Sequence, residues 1–231
     1  MCSAAEEAIG RGDRVAPLRL VIFDLDGTLI NSAEMIVAAK REAFAAVGWP
    51  APPRAELLGA VGLSVPENFR MLAGAEAPYE EMGAAYKAAW TRLLAAGAGH
   101  ELFAGAAELI DRLSAAPDAT LGIATGNSRR GVARILAQYG WERCFATIQT
   151  AEDAPSKPAP AMILHALQAT GIAPSGTAMI GDTSYDMAMA RAAGVQAIGV
   201  AWGYHEPDAL RAAGAHDIVE TFDELAALLA A

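Results

Sequence analysis

A chain of 231 residues that is 54% hydrophobic can bury a sizeable core, which excludes disorder as a reading of the whole. Its 17 basic and 27 acidic residues leave a net charge of −10, which argues against nucleic acid or an anionic membrane surface as the main partner and requires a local site for any anionic ligand. Its two cysteines, Cys2 and Cys144, have neither metal-motif spacing nor the density of a disulfide scaffold, so a reducing compartment is expected, with the cytoplasm as default.

Residues 1–18 contain Glu6, Glu7 and Asp13 and lack an apolar central segment, so they read as a flexible leader rather than a secretory signal. No uncharged apolar run approaches the ~20 residues that span a bilayer. Arg19-Leu20-Val21-Ile22-Phe23 is a short apolar run that stops at Asp24 and the turn residue Gly27, which predicts a buried strand feeding a loop. Residues 34–99 differ in character: alanine-rich segments place Tyr86, Trp90, Leu93 and Leu94 on one helical face, and prolines punctuate the connections. An all-helical insert is expected there, with Tyr86 and Trp90 in its core. From residue 100 onward, helices are predicted near 105–114, 128–139 and 159–170 and up to Ala193, and strands at 119–124, 145–149, 177–180 and 195–200. Such alternation implies βαβ units and a mostly parallel, doubly wound sheet with helices on both faces.

Open α/β sheets bind ligands beyond the carboxyl ends of their strands. Here LVIFD ends in Asp24, LGIAT in Thr125 and AMIGD in Asp182, so three strands deliver a polar group to one edge, each with a glycine nearby. Lys157, followed by Pro158, suits the first turn of a helix, where it would favour an anion.

Read in order, DLDGT at 24–28, TGN at 125–127, Lys157 and GDTSYD at 181–186 resemble the four motifs of the haloacid dehalogenase-like hydrolase superfamily. The resemblance covers residues 19–222. It implies a Rossmann-like core of residues 19–33 and 100–231, with residues 34–99 as an α-helical cap domain of the phosphoglycolate phosphatase-like branch. It further implies a Mg²⁺-dependent phosphatase acting on a small phosphorylated metabolite. Asp24 would be the nucleophile that forms an aspartyl-phosphate, and Asp26 the acid-base partner. Thr125, Gly126, Asn127 and Lys157 would hold the phosphate. Asp24, Asp26 through its backbone carbonyl, and Asp182 would hold Mg²⁺, with Asp186 one helical turn later orienting the metal's waters.

Some assignments stay open at this level. Asn127 is equally placed to cap the following helix. Ser64, Asn68 and Arg70 are the polar candidates in the insert for selecting substrate, with Arg70 pointing to water as the alternative. The four histidines, His100, His165, His205 and His216, show no metal spacing and read as structural or surface groups. A β-phosphoglucomutase-like mutase would use the same motifs, a pyrophosphatase is a more distant option, and a dehalogenase is disfavoured because Asp26 is an acid. A phosphorylated signalling receiver is disfavoured by the insert. Substrate and oligomeric state are not legible.

Overall fold

Every side chain of the first strand, β1 (Leu20–Phe23), is buried. Val21 and Phe23 join one apolar cluster while Leu20 and Ile22 join another, the period-two split of a strand covered on both faces. This computed structural model describes residues 19–99 and 101–230. The leader expected over residues 1–18, and His100, lie outside the described residues.

After β1 come β2 (Ile30–Asn31), the helices α1 (Ala33–Ala46), α2 (Arg54–Gly59), α3 (Val65–Ala73) and α4 (Tyr79–Ala95), and then β3 (Glu101–Leu102). The chain next alternates through α5 (Ala106–Ala115), β4 (Thr120–Ala124), α6 (Arg129–Tyr139), β5 (Phe145–Gln149), α7 (Ala161–Thr170) and β6 (Thr177–Gly181). It finishes with α8 (Ser184–Ala193), β7 (Gln196–Val200), α9 (Pro207–Ala212), β8 (Asp217–Val219) and α10 (Phe222–Leu229). Six strands form one sheet in the order β5-β4-β1-β6-β7-β8, and every pairing in it is parallel. Helices α5, α6 and α10 pack on the face carrying Val21 and Phe23, and α7, α8 and α9 on the opposite face. The chain winds outward from β1 to β5 and then returns to β6, so the strand order reverses beside β1. Such a reversal opens a crevice at the carboxyl edge.

Between β2 and β3 the chain is helical, and these four helices keep an apolar cluster of their own. Phe44 and Phe69, each 1% exposed, meet there with ring centroids 6.0 Å apart. Burying each phenyl ring stabilises the insert by about 2 kcal/mol. Strands β2 and β3 pair antiparallel, Ile30 opposite Leu102, so the insert leaves and re-enters the core side by side.

Two expectations need correction. Helix α7 starts at Ala161 with Pro160 as its N-cap, because Pro158 and Pro160 lack the N–H that an earlier turn would use. Lys157 therefore sits in the preceding turn rather than in the helix. The periodicity also passed over β2, β3, α9, β8 and α10, all short; the last had a signal in Thr221 and Glu224, since the Thr221 hydroxyl accepts from Glu224 N–H at 3.1 Å. Among the described residues no helix is long and apolar enough to cross a membrane.

Candidate active site

Asp24, Thr125 and Asp182 each follow the last residue of β1, β4 or β6, and because β1 lies between the other two they converge. All three are at most 1% exposed. Gly27, at φ +91°, turns the chain after Asp24 so closely beneath Asp182 that an added Cβ would lie 2.2 Å from its Oδ2. Only glycine fits there.

Asp186, in the first turn of α8, completes a cluster. Carboxylate oxygens of Asp24, Asp182 and Asp186 lie within 4.8 Å of one another. Asp182 Oδ1 accepts from the Thr28 hydroxyl at 2.8 Å, and its Oδ2 from the Tyr204 N–H at 2.9 Å. Asp186 Oδ2 accepts from the Thr183 N–H at 3.0 Å and hydroxyl at 2.6 Å, a reciprocal cap of α8, while Oδ1 accepts from Lys157 Nζ at 2.6 Å. Lys157 Nζ also stands 3.0 Å from Asp24 Oδ2. Asp24 Oδ1 is buried with no hydrogen-bond partner among the described residues.

Three carboxylates against one ammonium leave this buried site short of positive charge. Burial pushes Asp24 up to about 7 despite the pull of Lys157, with Asp186 and Asp26 adding to the rise. Burial, then the charges of Asp186 and Asp24, hold Asp182 well above the usual carboxylate range. Lys157 is held above its ordinary value by Asp186 and Asp24, which overcome the opposing effect of burial. An all-oxygen donor set with an orphaned carboxylate oxygen and excess negative charge fits a hard divalent cation. Asp24 alone of the three keeps an oxygen with no hydrogen-bond donor among the described residues, while both oxygens of Asp182 accept from Thr28 and Tyr204 and both of Asp186 from Lys157 and Thr183.

Asp26 lies outside the acidic cluster, half-buried and facing a cavity of about 320 Å³. Its Oδ1 accepts from the Ser32 hydroxyl at 2.6 Å and its Oδ2 from Asn127 Nδ2 at 3.2 Å. Ser32 Oγ is also 3.0 Å from the Tyr204 hydroxyl. Ser32 has one hydroxyl proton, and it goes to Asp26, so Tyr204 donates to Ser32. The relay thus fixes the position of the Asp26 side chain at the wall of the cavity. Thr125 Oγ1 accepts from the Asn127 N–H at 3.2 Å, which leaves its own proton to donate.

The structure brings Asp24, Asp26, Thr125, Gly126 and Asn127 onto one cavity wall. Lys157 stands behind Asp24, with Asp182 and Asp186 beside it. The N-cap of α6 is Ser128, whose hydroxyl accepts from Gly131 N–H at 3.1 Å, so capping falls one residue after Asn127. Tyr86 packs on both Phe69 and Trp90, as expected of the insert's core, but Tyr86 and Trp90 also line the cavity. Arg70 is exposed and stacks over Tyr79, 4.7 Å from its ring centroid. His205 and His216 are hydrogen-bonded: His205 Nδ1 accepts from Ser184 N–H and its Nε2 donates to Gly59 O. Sequence reasoning missed Thr28, Ser32, Lys40 and Tyr204. Ser32 had a signal in its spacing, six residues from Asp26; the others are brought in by packing alone.

A parallel sheet whose switch point gathers one strand-end aspartate, a second aspartate two residues on, and two more acids around a buried lysine is an α/β fold with an aspartate-based site. The sequence model for haloacid dehalogenase-like hydrolases matches residues 21–200, and the chain belongs to that family. It is 34% identical over 210 residues to the probable phosphatase IndB of Dickeya dadantii, spanning 89% of this chain and 91% of IndB. It is 33% identical over 197 residues to the phosphoglycolate phosphatase of Xanthomonas campestris pv. campestris, spanning 82% of this chain and 86% of that protein. The solved structure of a hydrolase from Pseudomonas syringae superimposes with a TM-score of 0.80 at 27% identity, covering 91% of this chain and 97% of the other.

Proposed function

We propose that this chain is a phosphatase that hydrolyses a small phosphate monoester. One observation supports it above the others: Asp24, with a buried orphan oxygen, and Asp26, held in place by Ser32 and Asn127, line the same small cavity. Asp24 attacks phosphorus as the ester P–O bond breaks, and protonated Asp26 gives its proton to the departing alkoxide. Asp26, now ionised, takes a proton from water; the resulting hydroxide attacks phosphorus, the P–O bond to Asp24 breaks, and orthophosphate leaves. Thr125 Oγ1 and the backbone of Gly126 and Asn127 hold the phosphoryl oxygens. Lys157 offsets the charge that gathers on Asp24.

Mg²⁺, held by Asp24, the Asp26 carbonyl and Asp182, would supply charge neutralisation and polarise the phosphoryl group. The helices of residues 34–99 act as a cap over this site. Their present contacts support that reading: Gly59 O accepts from the Tyr185 hydroxyl at 3.2 Å and lies 3.0 Å from His205 Nε2, and the Ser64 N–H donates to Ser156 Oγ at 2.8 Å. Gly126 lets the two parts close, since a Cβ there would lie 2.7 Å from Gly62 O.

The test is release of orthophosphate from a panel of phosphorylated metabolites in Mg²⁺. Release abolished by a chelator and restored by Mg²⁺ is the expected outcome. Isomerisation of a sugar phosphate without orthophosphate would replace this reading by a phosphomutase, and undiminished turnover in excess chelator would overturn the metal's part in it.

A further inference from the structure

Two fully buried lysines serve this chain, and their surroundings differ. Lys157 has two carboxylates. Lys40, 2% exposed on α1, has none among the described residues: its Nζ donates to Leu57 O at 2.5 Å, and its ammonium group has further protons to give. Lys40 lines the same cavity as Asp24 and Asp26. Burial with no compensating charge pushes it down to about 7. Asn68, 7% exposed, lines that cavity as well; its Nδ2 donates to Ala60 O at 2.5 Å, but its Oδ1 is buried without a hydrogen-bond partner. A buried cation without a counter-ion and a buried acceptor without a donor are each costly to keep. The insert thus presents two unfilled polar valences to the cavity.

The rest of the lining agrees in sign. Lys87, Arg130 and Arg134 border the cavity, against Glu152 as the one acid besides Asp24 and Asp26. A cationic lining in a chain of net charge −10 is a local departure that a neutral substrate tail would not use.

We infer that the substrate carries a second anionic group besides the phosphate that is cleaved, that Lys40 is its counter-ion, and that Asn68 Oδ1 accepts from a hydroxyl or amine proton on the same molecule. This rests on the phosphatase reading for the chemistry at Asp24, and it narrows the substrate to a phosphorylated acid or a bisphosphate. Lys40 is then a specificity-determining residue: it touches the part of the substrate that leaves, not the phosphorus. A bound anion fills the positive site in the cap wall without disturbing the Leu57 contact.

Matched esters test this. The ratio of kcat/KM for 2-phosphoglycolate over ethyl phosphate reads a carboxylate, and that for ethylene glycol bisphosphate over ethyl phosphate reads a second phosphate. One ratio should be well above unity in the parent chain and should fall about tenfold or more in Lys40→Met, with partial recovery in Lys40→Arg. Asn68→Asp, which adds an anion to the same wall, should lower that ratio too. A parent ratio near one for both pairs, or equal losses on charged and neutral esters in Lys40→Met, would overturn the inference and leave Lys40 as a support for α2. Calorimetric titration with the matching leaving group, glycolate where the carboxylate ratio is high and 2-hydroxyethyl phosphate where the phosphate ratio is, gives a readout independent of turnover, with weaker binding expected in Lys40→Met and equal binding counting against the subsite. Lys40-dependent binding of either with no phosphate released from any ester would instead overturn the phosphatase reading and keep the subsite.

Discussion

Lys157 donates to Asp186 at 2.6 Å with both side chains sealed from water, and among the described residues the same ammonium is the only cation paired with Asp24. Removing it leaves three acids without compensation. Lys157→Met should lose about 3–5 kcal/mol of stability in urea unfolding, because breaking a buried pair strands its partners. Lys157→Arg should not restore it, since a planar guanidinium cannot serve two carboxylates from the ammonium's position. A Lys157→Met chain as stable as the parent would contradict the pairing.

Asp24→Asn and Asp26→Asn should fail differently, although each exchanges one carboxylate for a near-isosteric amide. The first removes the proposed nucleophile, so neither a burst of nitrophenolate nor a phosphoenzyme should appear with nitrophenyl phosphate. The second spares the nucleophile and removes the later base, a role worth ~10²- to 10⁴-fold. A stoichiometric burst and a phosphoryl adduct on residue 24, found by mass, are expected. Loss of the burst in both folded variants would refute the division of labour.

Ser32 contacts Asp26 directly and Tyr204 does so through Ser32, so on the proposed mechanism their removal should show in the leaving group. Ser32→Ala takes away the 2.6 Å donor and should slow alkyl phosphate turnover about tenfold. Nitrophenyl phosphate, whose leaving group needs little protonation, should suffer less in the first step. Equal losses in the burst rate and in alkyl phosphate turnover would assign Ser32 a purely structural part at the start of α1.

Lys40 gives stability a pH dependence of known sign. The unfolded chain keeps this proton up to an ordinary value of 10.5, whereas the folded chain releases it near 7. Between those values the unfolded state binds more protons, so this group's contribution to stability rises with pH. Lys40→Met should therefore be more stable than the parent by a few kcal/mol at pH 7 and below, and the gap should close toward pH 10. A gap that is flat with pH would show that Lys40 stays charged in the fold.

The strand-end residues were legible because each closes an apolar run: Asp24, Thr125 and Asp182 follow strands whose composition announces burial. Distances between them were not, yet parallel order alone brings them together. Lys157 was legible as a candidate site residue but misplaced, since what holds it is contact with Asp24 and Asp186, far off in sequence, rather than a helix terminus. Lys40 stands beside Arg41 and Glu42 in the sequence and carries no local mark of burial; it is the packing around α1, with Leu57 O as its acceptor, that encloses it. Tyr204 follows a strand that the pattern did predict, but its reach back to Ser32 is a tertiary fact. The short elements after Val200 escaped because three to eight residues carry too little periodicity.

The pairing of Ile30 with Leu102 has an evolutionary consequence. Because the helical insert begins and ends on adjacent rungs of one small ladder, it is a cassette: lengthening, shortening or exchanging it requires no rewiring of the parallel sheet. Asp24 and Asp182 belong to strands that never enter the cassette, whereas Lys40 and Asn68 belong wholly to it. If the proposed roles hold, bond-breaking and tail recognition lie on separate stretches of chain, free to change independently.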